Sequence, residues 1–557
     1  MYGWLFCKNV NCSSLAEFGG KRENIESGWL YTKLLNKFYN DTVKDLSGYF
    51  LEGYVLNKKE LMEFTEENDW NKGYKKLCFE STFPMKLRGS FSGFYFGKDG
   101  IKNFFVDHMG SKTLYFYQNK NQFIISSRLE WVVKILSENK IEYHFDEQAA
   151  RYMMTYGFML DESTFISEVK RVLPGQKVIL KENELTITQY YIPTIEQKND
   201  ISEAEAIDLI DKAFRNAVRR EFEKDKEYGY KHLVDLSGGL DSRMVTWVAH
   251  DMGYVKQTNF SYCKAEYLDF KISSKIARDL KHEYYFKQLD DFQWISELEE
   301  ILRLNNGAAL YSGITGGKDC LSNFNRDEYG IEHTGMLGDV ILSCYATNAR
   351  EAMQTPNFGL RQHSSKLQYV YDRDKISTYK CQEIMDFYTR GLLGMMSTYF
   401  IRQDYFEVAS PFLDVDFVEI CFSMPLKYRV KHNIYLKWIN KCYKDATKYG
   451  WEKWAGVQPK KNMILVRNIA FVLRKIRRTL KKIMGTEISD QMNPIDYWYA
   501  NDKAAQAYFQ QYYNDNICRE CFSISVRKDL KKLFFEGTAS EKTQVLTVLG
   551  MANLYFK

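Results

Sequence analysis

The residues best suited to chemistry lie between an apolar, strand-like run, Leu233–Leu236, and a segment with helical spacing that begins at Arg243. Between them stand two hydroxyls, two glycines and one carboxylate: Ser237, Gly238, Gly239, Asp241 and Ser242. A glycine-rich turn that leads from a strand into a helix presents backbone N–H groups and the positive end of the helix dipole, and both favour a bound anion. Glycines let phosphate oxygens approach the backbone closely. A carboxylate beside a phosphate requires a bridging cation, and Mg²⁺ is the usual one.

The turn lacks the lysine of the Walker pattern, so it is not a P-loop of that type. It resembles the PP-loop of ATP pyrophosphatases, which split ATP into AMP and pyrophosphate. The residues of the turn predicted to bind ATP are Leu236, Ser237, Gly238, Gly239, Leu240, Asp241 and Ser242. The expected cofactors are ATP and Mg²⁺. Short motifs produce false matches, so an alternative must be kept. The simpler interpretation is a Ser/Gly turn in which the aspartate only caps a helix.

Composition restricts the class of protein. The chain has 557 residues, enough for about two to four domains. A hydrophobic content of 45% and a charged content of 27% are typical of a globular protein, and no apolar run has the length of a membrane span. Met1–Cys7 lacks the features of a signal peptide, and the 11 cysteines have no paired spacing, which together predict a cytoplasmic protein with reduced thiols. A net charge of +5 gives no indication of nucleic-acid binding.

The pattern of secondary structure changes along the chain. Residues 1–195 alternate strand-like runs with turns and contain one helical stretch, Leu129–Glu138. From 202 to 460, long amphipathic helices, the first of them at Ile201–Glu223, alternate with short apolar strands. That alternation is typical of a parallel α/β sheet.

The last part of the chain, residues 461–557, is rich in Lys, Tyr and Phe and is predicted to be a basic helical extension. Within it, residues 464–484 have an apolar helical stripe opposite a basic face. Such a helix can lie on an anionic membrane, which makes it a candidate for peripheral membrane contact. The commoner alternative is a helix that packs on its own domain and leaves the basic face in water.

Further motifs resemble, in order, those of the asparagine synthetase (glutamine-hydrolysing) family. They extend over most of the chain, up to about residue 465. One such motif alone would be weak evidence for the family. The matching elements are Tyr156–Gly157, Leu173–Gly175, the turn at 237–242, the strand at 259–262, Asp269, Thr334–Asp339, Ser410–Asp414, Lys437–Trp438 and Lys460–Lys461. Their number and order identify the chain as a divergent member of that family.

The resemblance implies an α/β fold with two domains. Residues 1–195 would form an Ntn-type αββα domain like the family's glutaminase. Residues 202–460 would form the PP-loop ATP pyrophosphatase domain, which is adenine nucleotide alpha hydrolase-like, and 461–557 would follow as the extension. The activity implied is a ligase that activates a carboxylate as its acyl-AMP and transfers the acyl group to an amine.

The resemblance also implies roles for single residues. Asp241 and Asp339 would hold Mg²⁺ against the triphosphate. Ser261 and Gly335 would join the residues of the turn that bind ATP.

Two lysines complete the implied site. Lys437 and Lys460, with Lys461 as the alternative to Lys460, would neutralise charge on the phosphates and on the tetrahedral intermediate.

The sequence departs from the family at both reaction centres. The family's glutaminase nucleophile is a cysteine at position 2, where this chain has Tyr2, so we expect no glutamine hydrolysis by that route. The acid in the family's second loop is replaced by Met336, which has no proton acceptor. Glu407 is the nearest acid in a matching element and is a candidate replacement base. These changes affect the acceptor side, whereas the ATP side is intact.

The leading hypothesis is an AMP-forming amide ligase that uses ammonia or another amine. Alternatives are amidation of a uronic acid on a surface-glycan precursor, closure of a peptide macrolactam as in lasso-peptide cyclases, and a non-catalytic nucleotide-binding scaffold. The expected partners are a small-molecule, glycan or peptide carboxylate and an amine donor, with no nucleic acid. A homodimer is a further expectation, and scarce proline with abundant Lys, Asn, Tyr and Phe suggests an AT-rich bacterial genome.

Overall fold

The structure is a computed structural model, and most of the chain is described in it. The described residues are 1–97, 99–198, 200–265, 267–289, 297–313, 315–356, 362–367, 369, 371–459, 472, 476 and 492–556. Lys460 and Lys461 lie outside the described residues, and so does the basic segment 464–484 except for two of its positions. The predictions made for these residues therefore stay predictions.

Twelve strands in the N-terminal part form two antiparallel sheets. They are β1 Gly3–Lys8, β2 Lys21–Ile25, β3 Gly28–Lys33, β4 Val43–Asp45, β5 Tyr49–Val55, β6 Gly89–Phe96, β7 Lys102–Val106, β8 Tyr115–Gln118, β9 Phe123–Ser126, β10 Lys170–Arg171, β11 Gln176–Lys181 and β12 Glu184–Gln189. One sheet has the order β10-β8-β9-β1-β3-β2 and the other β12-β11-β7-β6-β5-β4.

The two sheets pack face to face and helices cover their outer faces. Trp4 and Phe6 on β1 contact Phe50, Phe94 and Phe104 of the second sheet, and these buried rings form the layer between the sheets. The covering helices are α1 Lys58–Thr65, α2 Trp70–Cys78, α3 Leu129–Glu138 and α4 Glu147–Tyr156. This four-layer arrangement confirms the αββα fold predicted for the N-terminal domain, and α3 has the predicted bounds.

A parallel sheet forms the centre of the second domain. Its strands are β13 Lys231–Asp235, β14 Gln257–Cys263, β15 Glu283–Gln288, β16 Tyr329–His333 and β17 Glu407–Ala409. The order is β15-β14-β13-β16-β17, and every pairing is parallel. After β13 the chain forms β14 and β15 on one side of that strand, and then β16 and β17 on its other side. The loops after β13 and β16 therefore diverge, and open α/β sheets bind ligands at such a point.

Helices pack on both faces of the parallel sheet. The longest, α5, begins after a capping box made by Ser202 and Glu205 and lies two to four residues further along the chain than predicted. The helices of this domain are α5 Glu203–Glu227, α6 Asp241–Asp251, α7 Leu268–Leu280, α8 Leu298–Leu304, α9 Thr315–Leu321, α10 Gly338–Ser343, α11 Ala349–Met353, α12 Arg373–Ile376, α13 Gln382–Asp386, α14 Val415–Ser423, α15 Leu426–Arg429 and α16 Asn433–Cys442.

Four helices form the described C-terminal part: α17 Ile495–Asn501, α18 Lys503–Asn516, α19 Ile524–Glu536 and α20 Ala539–Tyr555. Their buried side chains, Phe509 and Leu546 among them, share one core with Trp131 of α3 and Met153 of α4. These helices thus extend the helical layer of the N-terminal domain. Nowhere in the described ranges is a helix both long and apolar enough to cross a membrane.

A buried ion cluster joins the two domains. The Lys112 ammonium lies 3.3 Å from Glu52 Oε1 of β5 and 3.0 Å from Glu407 Oε1 of β17. All three side chains are almost fully buried. Two carboxylates and one ammonium therefore meet where the N-terminal β-sandwich contacts the edge of the parallel sheet.

Lys112→Met is predicted to destabilise the protein by about 3–5 kcal/mol, because it leaves buried carboxylates without their partner. Thermal unfolding followed by circular dichroism measures the loss. The matched control is Lys231→Met, which removes an exposed ion pair with Glu328 and should cost less than about 1 kcal/mol. Equal effects of the two substitutions would contradict the proposed importance of the buried cluster.

Candidate active site

The glycine-rich turn connects β13 to α6, as predicted. The backbone N–H of Ser237 donates to Ser242 Oγ at 2.9 Å, and the two hydroxyl oxygens are also 2.9 Å apart. The N–H of Gly238 donates to Asp269 Oδ1 at 2.6 Å, so α7 braces the turn from behind. A Cβ at Gly238 would lie 2.9 Å from both Asp269 Oδ1 and Glu452 Cβ, and this crowding explains the glycine.

The loop after β16 brings the second predicted carboxylate to the first. The backbone N–H of Asp339 donates to Asp241 Oδ2 at 3.0 Å, and the Tyr435 hydroxyl donates to Asp241 Oδ1 at 2.7 Å. A Cβ at Gly335 would lie 2.3 Å from Ser242 N, and one at Gly338 would lie 2.7 Å from Asp241 Cγ. Only glycines permit this approach of the two loops.

The electrostatics of the two aspartates fit a divalent cation. Burial, and after it the negative charge of Asp339, raise the pKa of Asp241 to about 7. Two carboxylates held this close repel each other unless a proton or a cation lies with them. Oxygen ligands of this kind suit Mg²⁺, so the donor set agrees with the predicted metal pair.

A cavity of about 420 Å³ opens beside the two carboxylates, within the size range of small-molecule sites. Six of the nine residues predicted to bind ATP line it: Ser237, Gly239, Leu240, Asp241, Ser242 and Gly335. The other three do not line it. Leu236 and Ser261 are buried in or next to their strands, and Gly238 faces Asp269 and Glu452. Sequence reasoning missed several lining residues: Asp235, Tyr345, Met395, Tyr399, Trp451, Glu452 and Lys453.

Lys453 is the lysine that the described structure brings to the carboxylates. Its ammonium lies 3.4 Å from Asp339 Oδ2 and 3.4 Å from His432 Nε2. It belongs to a short turn of 3₁₀-helix, Glu452–Trp454, on the wall of the cavity. The sequence feature that could have indicated Lys453 is a Glu-Lys pair between two tryptophans, in a segment bounded by glycines at 450 and 456.

Lys437, predicted to be catalytic, does not line this cavity. It follows Tyr435 by two positions on α16, and two helical positions are about 200° apart around the axis. Because Tyr435 faces Asp241, Lys437 points away, and its ammonium lies 2.5 Å from Glu203 at the start of α5. The expected role of Lys437 is corrected on this ground.

A buried arginine fixes the segment that carries Lys453. Arg243 Nη2 donates to the Gly238 carbonyl at 3.0 Å, and Arg243 Nη1 donates to the carbonyls of Ala446 at 3.2 Å and Tyr449 at 3.3 Å. One side chain therefore holds the glycine-rich turn and the chain before Lys453 together. This role of Arg243 could not be predicted from the sequence, because the residue stands in an ordinary helical pattern.

The acceptor side of the cavity has no acid at the expected place. Met336 is buried and lines the wall, as its position in the second loop predicts. Glu407, the candidate base, does not line this cavity, because its carboxylate is bound to Lys112 at the domain interface. The assignment of Glu407 as the base is corrected.

A second, smaller cavity of about 60 Å³ lies between the domains. Ser90, Asp107 and Ser111 line its N-terminal side, and Met336 and Tyr399 line both this cavity and the larger one. No cysteine is among the described residues that line it. Cys7 and Cys12 are buried in the helix-covered core of the first sheet, and the backbone N–H of Tyr2 donates to Asp404 Oδ1 at 3.0 Å.

Comparisons with known proteins agree with this architecture. Residues 80–191 match the glutamine amidotransferase domain family, and residues 209–377 match the asparagine synthase family. Over 271 residues the chain is 26% identical to the putative asparagine synthetase [glutamine-hydrolyzing] 2 of Methanocaldococcus jannaschii, an alignment that covers 44% of this chain and 50% of that protein. Over 227 residues it is 23% identical to asparagine synthetase [glutamine-hydrolyzing] 1 of Bacillus subtilis, with coverages of 40% and 34%.

The two domains and their order define an Ntn amidotransferase domain joined to an asparagine synthase domain. The chain is a divergent member of the asparagine synthetase family, which confirms the resemblance drawn from its motifs. The aligned part covers half of the first relative and about a third of the second.

Two solved structures are also similar to this chain. One is described as the allosteric regulatory enzyme of purine biosynthesis, with 10% identity, coverage of 51% of this chain and 74% of that chain, and a TM-score of 0.21. The other is glutamine phosphoribosylpyrophosphate amidotransferase from B. subtilis complexed with ADP and GMP, with 8% identity, coverages of 77% and 96%, and a TM-score of 0.24. Scores this low carry no argument about this chain.

Metal affinity at Asp241 and Asp339 is predicted to depend on pH. Because Asp241 has a pKa of about 7 and must lose its proton to bind a cation, affinity should fall about tenfold per pH unit below 7 and level off above it. Titration with Mn²⁺ at pH 6, 7 and 8, followed by electron paramagnetic resonance, measures this. Asp339→Asn should weaken binding throughout, whereas Asp445→Asn, in an exposed pair with Lys448, should not. Equal affinity at pH 6 and pH 8 would refute the prediction.

Proposed function

We propose that the protein is an ATP-dependent ligase that forms an amide from a carboxylate and an amine, with release of AMP and pyrophosphate. The observation that carries the proposal is the meeting of Asp241 and Asp339 at the mouth of the glycine-rich turn, with Lys453 beside them. The family assignment supports an ATP-dependent amidation in general. A cavity of about 420 Å³ gives room for the reacting groups next to this charge cluster.

The proposed reaction has two steps. A carboxylate oxygen of the substrate attacks the α-phosphorus of ATP, and the bond to the β-phosphate oxygen breaks, which releases pyrophosphate. The amine nitrogen then attacks the acyl carbon, a C–N bond forms, and the C–O bond to AMP breaks. These steps need alignment and charge compensation more than covalent help from the protein.

The residues of the site have distinct tasks in this scheme. The N–H groups at the N-terminus of α6 and the Ser237 and Ser242 hydroxyls would hold the leaving pyrophosphate. Asp241 and Asp339 would hold Mg²⁺, which when bound offsets the negative charge of the phosphates. The Lys453 ammonium would neutralise charge that develops on the phosphates and the acyl group.

We propose further that ammonia or another amine, not glutamine, supplies the nitrogen. Supporting this, no cysteine lines the described interdomain cavity, and its polar groups already have protein partners. Asp107 accepts hydrogen bonds from the Ser111 hydroxyl and from the backbone N–H groups of Met109 and Lys112. The Tyr54 hydroxyl donates to the Val408 carbonyl across the interface. The Asp107 contacts lie within the N-terminal domain, and the Tyr54 contact joins it to the second domain.

We also propose that the protein works in the cytoplasm. The eleven cysteines are free thiols, which supports a reducing compartment such as the cytoplasm. Peripheral membrane contact through 464–484 and a homodimer stay predictions from sequence. Glycan and peptide carboxylates stay alternative substrates to aspartate.

The purified protein should be incubated with Mg-ATP and aspartate, with ammonium chloride in one tube and glutamine in another. The expected outcome is AMP, pyrophosphate and asparagine with ammonium only. A panel of uronic acids and peptide acids should follow if aspartate gives no AMP. Asparagine formed from glutamine would disprove the part of the proposal that concerns nitrogen, and lack of AMP with every acid would disprove the ligase assignment.

Lys453→Met is predicted to lower AMP formation by about 100-fold or more, because it removes the cation nearest to the carboxylate pair. Lys437→Met is the matched control, since that lysine pairs with Glu203 on the outside of α16, and it should retain most of the activity. Initial rates of pyrophosphate release at saturating Mg-ATP measure both variants. A loss of activity in Lys437→Met alone would restore the original assignment of Lys437 and reject that of Lys453.

A further inference from the structure

Asp235 is a carboxylate in the large cavity to which the scheme above gives no task. It is the last residue of β13, immediately before the glycine-rich turn. It shares the wall of the cavity with Met336, Met395 and Tyr399. It therefore stands at the carboxyl end of the central strand, where substrates of open α/β sheets bind.

Among the residues that the structure describes, no hydrogen bond or ion pair engages the Asp235 side chain. Burial raises the pKa of Asp235, and the positive charge of Arg402 opposes that rise. The Arg402 guanidinium itself is already occupied: it pairs with Glu332 and donates to the Tyr262 hydroxyl. Its carbon lies 4.2 Å from the ring centre of Tyr399 and 5.5 Å from that of Tyr262.

A carboxylate in this position needs a cationic partner. The same cavity already contains Asp241 and Asp339, and the proposed ligand brings further negative charge in its phosphates. An anionic substrate group would be repelled by Asp235, whereas an ammonium group would be attracted, the more so beside the buried side chain of Met336. Met336 lines the same cavity and offers no proton acceptor.

We propose that Asp235 binds the attacking amine as its ammonium form and accepts the proton that the nitrogen loses. The proposal rests on the ligase function above and names the amine side of its site. The nitrogen, once deprotonated, donates its electron pair to the acyl carbon, and the C–O bond to AMP breaks with its electron pair on the phosphate oxygen. The first proton moves from the ammonium nitrogen to the Asp235 carboxylate before the attack, and it leaves to solvent when the amide departs. The second proton, which the nitrogen loses as the C–N bond forms, passes to the departing phosphate of AMP.

Binding of an amine can be measured without turnover. The probe is n-butylammonium chloride, titrated calorimetrically at pH 8 into protein with AMP present, and 1-butanol is the uncharged control. We expect saturable binding of the cation to the wild type, at least tenfold weaker binding to Asp235→Asn, and no difference between them for 1-butanol. Asp445→Asn, at an exposed ion pair, should bind the cation like the wild type. Equal affinity in Asp235→Asn, or no saturable binding to the wild type, would overturn the proposal.

Turnover separates binding from structural support. With whichever carboxylate yields AMP, Asp235→Asn should raise the KM for ammonium at least tenfold and flatten the acid limb of the pH profile of amide formation. Asp235→Glu should recover part of both. Pyrophosphate release without amine should stay near the wild-type rate. If the wild type makes no AMP, the ligase function fails while the calorimetric titration still tests Asp235.

Two other roles for Asp235 predict different results. If Asp235 only supports Arg402, Asp235→Asn should lower the thermal midpoint and slow pyrophosphate release and amide formation equally. If Asp235 is a metal ligand, the same variant should lose Mn²⁺ affinity. Either result would overturn the proposal.

Discussion

The active site depends on one steric constraint, the contact between the loop after β16 and the N-terminus of α6. Gly335 lies against Ser242, and Gly338 lies against Asp241, at distances that leave no room for a Cβ. This contact aligns the Asp339 backbone N–H with the Asp241 carboxylate and brings the two carboxylates to one place. The arrangement is unfavourable by itself, because like charges are forced together in a partly buried cleft. Under the proposed function, a bound cation would relieve that repulsion, so the contact that costs stability in the free protein would favour a metal and its phosphate ligand.

Two other groups of buried charges in the described part of the chain are neutralised by partners of opposite charge within the protein. Lys112 neutralises Glu52 and Glu407 at the domain interface. His333 on β16 lies 3.1 Å from Glu221 and 2.8 Å from Asp225 on α5, and these hydrogen bonds outweigh its burial and raise its pKa to about 9. Such pairs hold helix, sheet and domain in one arrangement, because removing either partner leaves an uncompensated charge.

Sequence patterns predicted the architecture and the phosphate side of the site, because both depend on local signals. Glycine-rich turns, hydroxyls and carboxylates at fixed spacing identified the loop at 237–242 and the pair Asp241 and Asp339. The structure places Lys437 away from the cavity because the side on which a residue of α16 lies depends on helix phase. The choice between the faces of α16 is made by Tyr435 and Trp438, whose side chains bind Asp241 and Asp211. Arg243 and Lys453 act through contacts with segments 203 and 114 residues away in the chain, and periodicity carries no information about such contacts.

The divergence of the acceptor side follows from the same geometry. Met336 leaves the second loop without a carboxylate, while Asp235 is a carboxylate at the end of the neighbouring strand β13, and both residues line the same cavity. Adjacent parallel strands end at one edge of the sheet, so a charge can move from one loop to the next strand and still face the bound substrate. The angle from which it faces the acyl carbon changes, however, and with it the position that an amine must occupy. Under the proposed function, these positions favour activation of the carboxylate at the glycine-rich turn and approach of the amine from the end of β13.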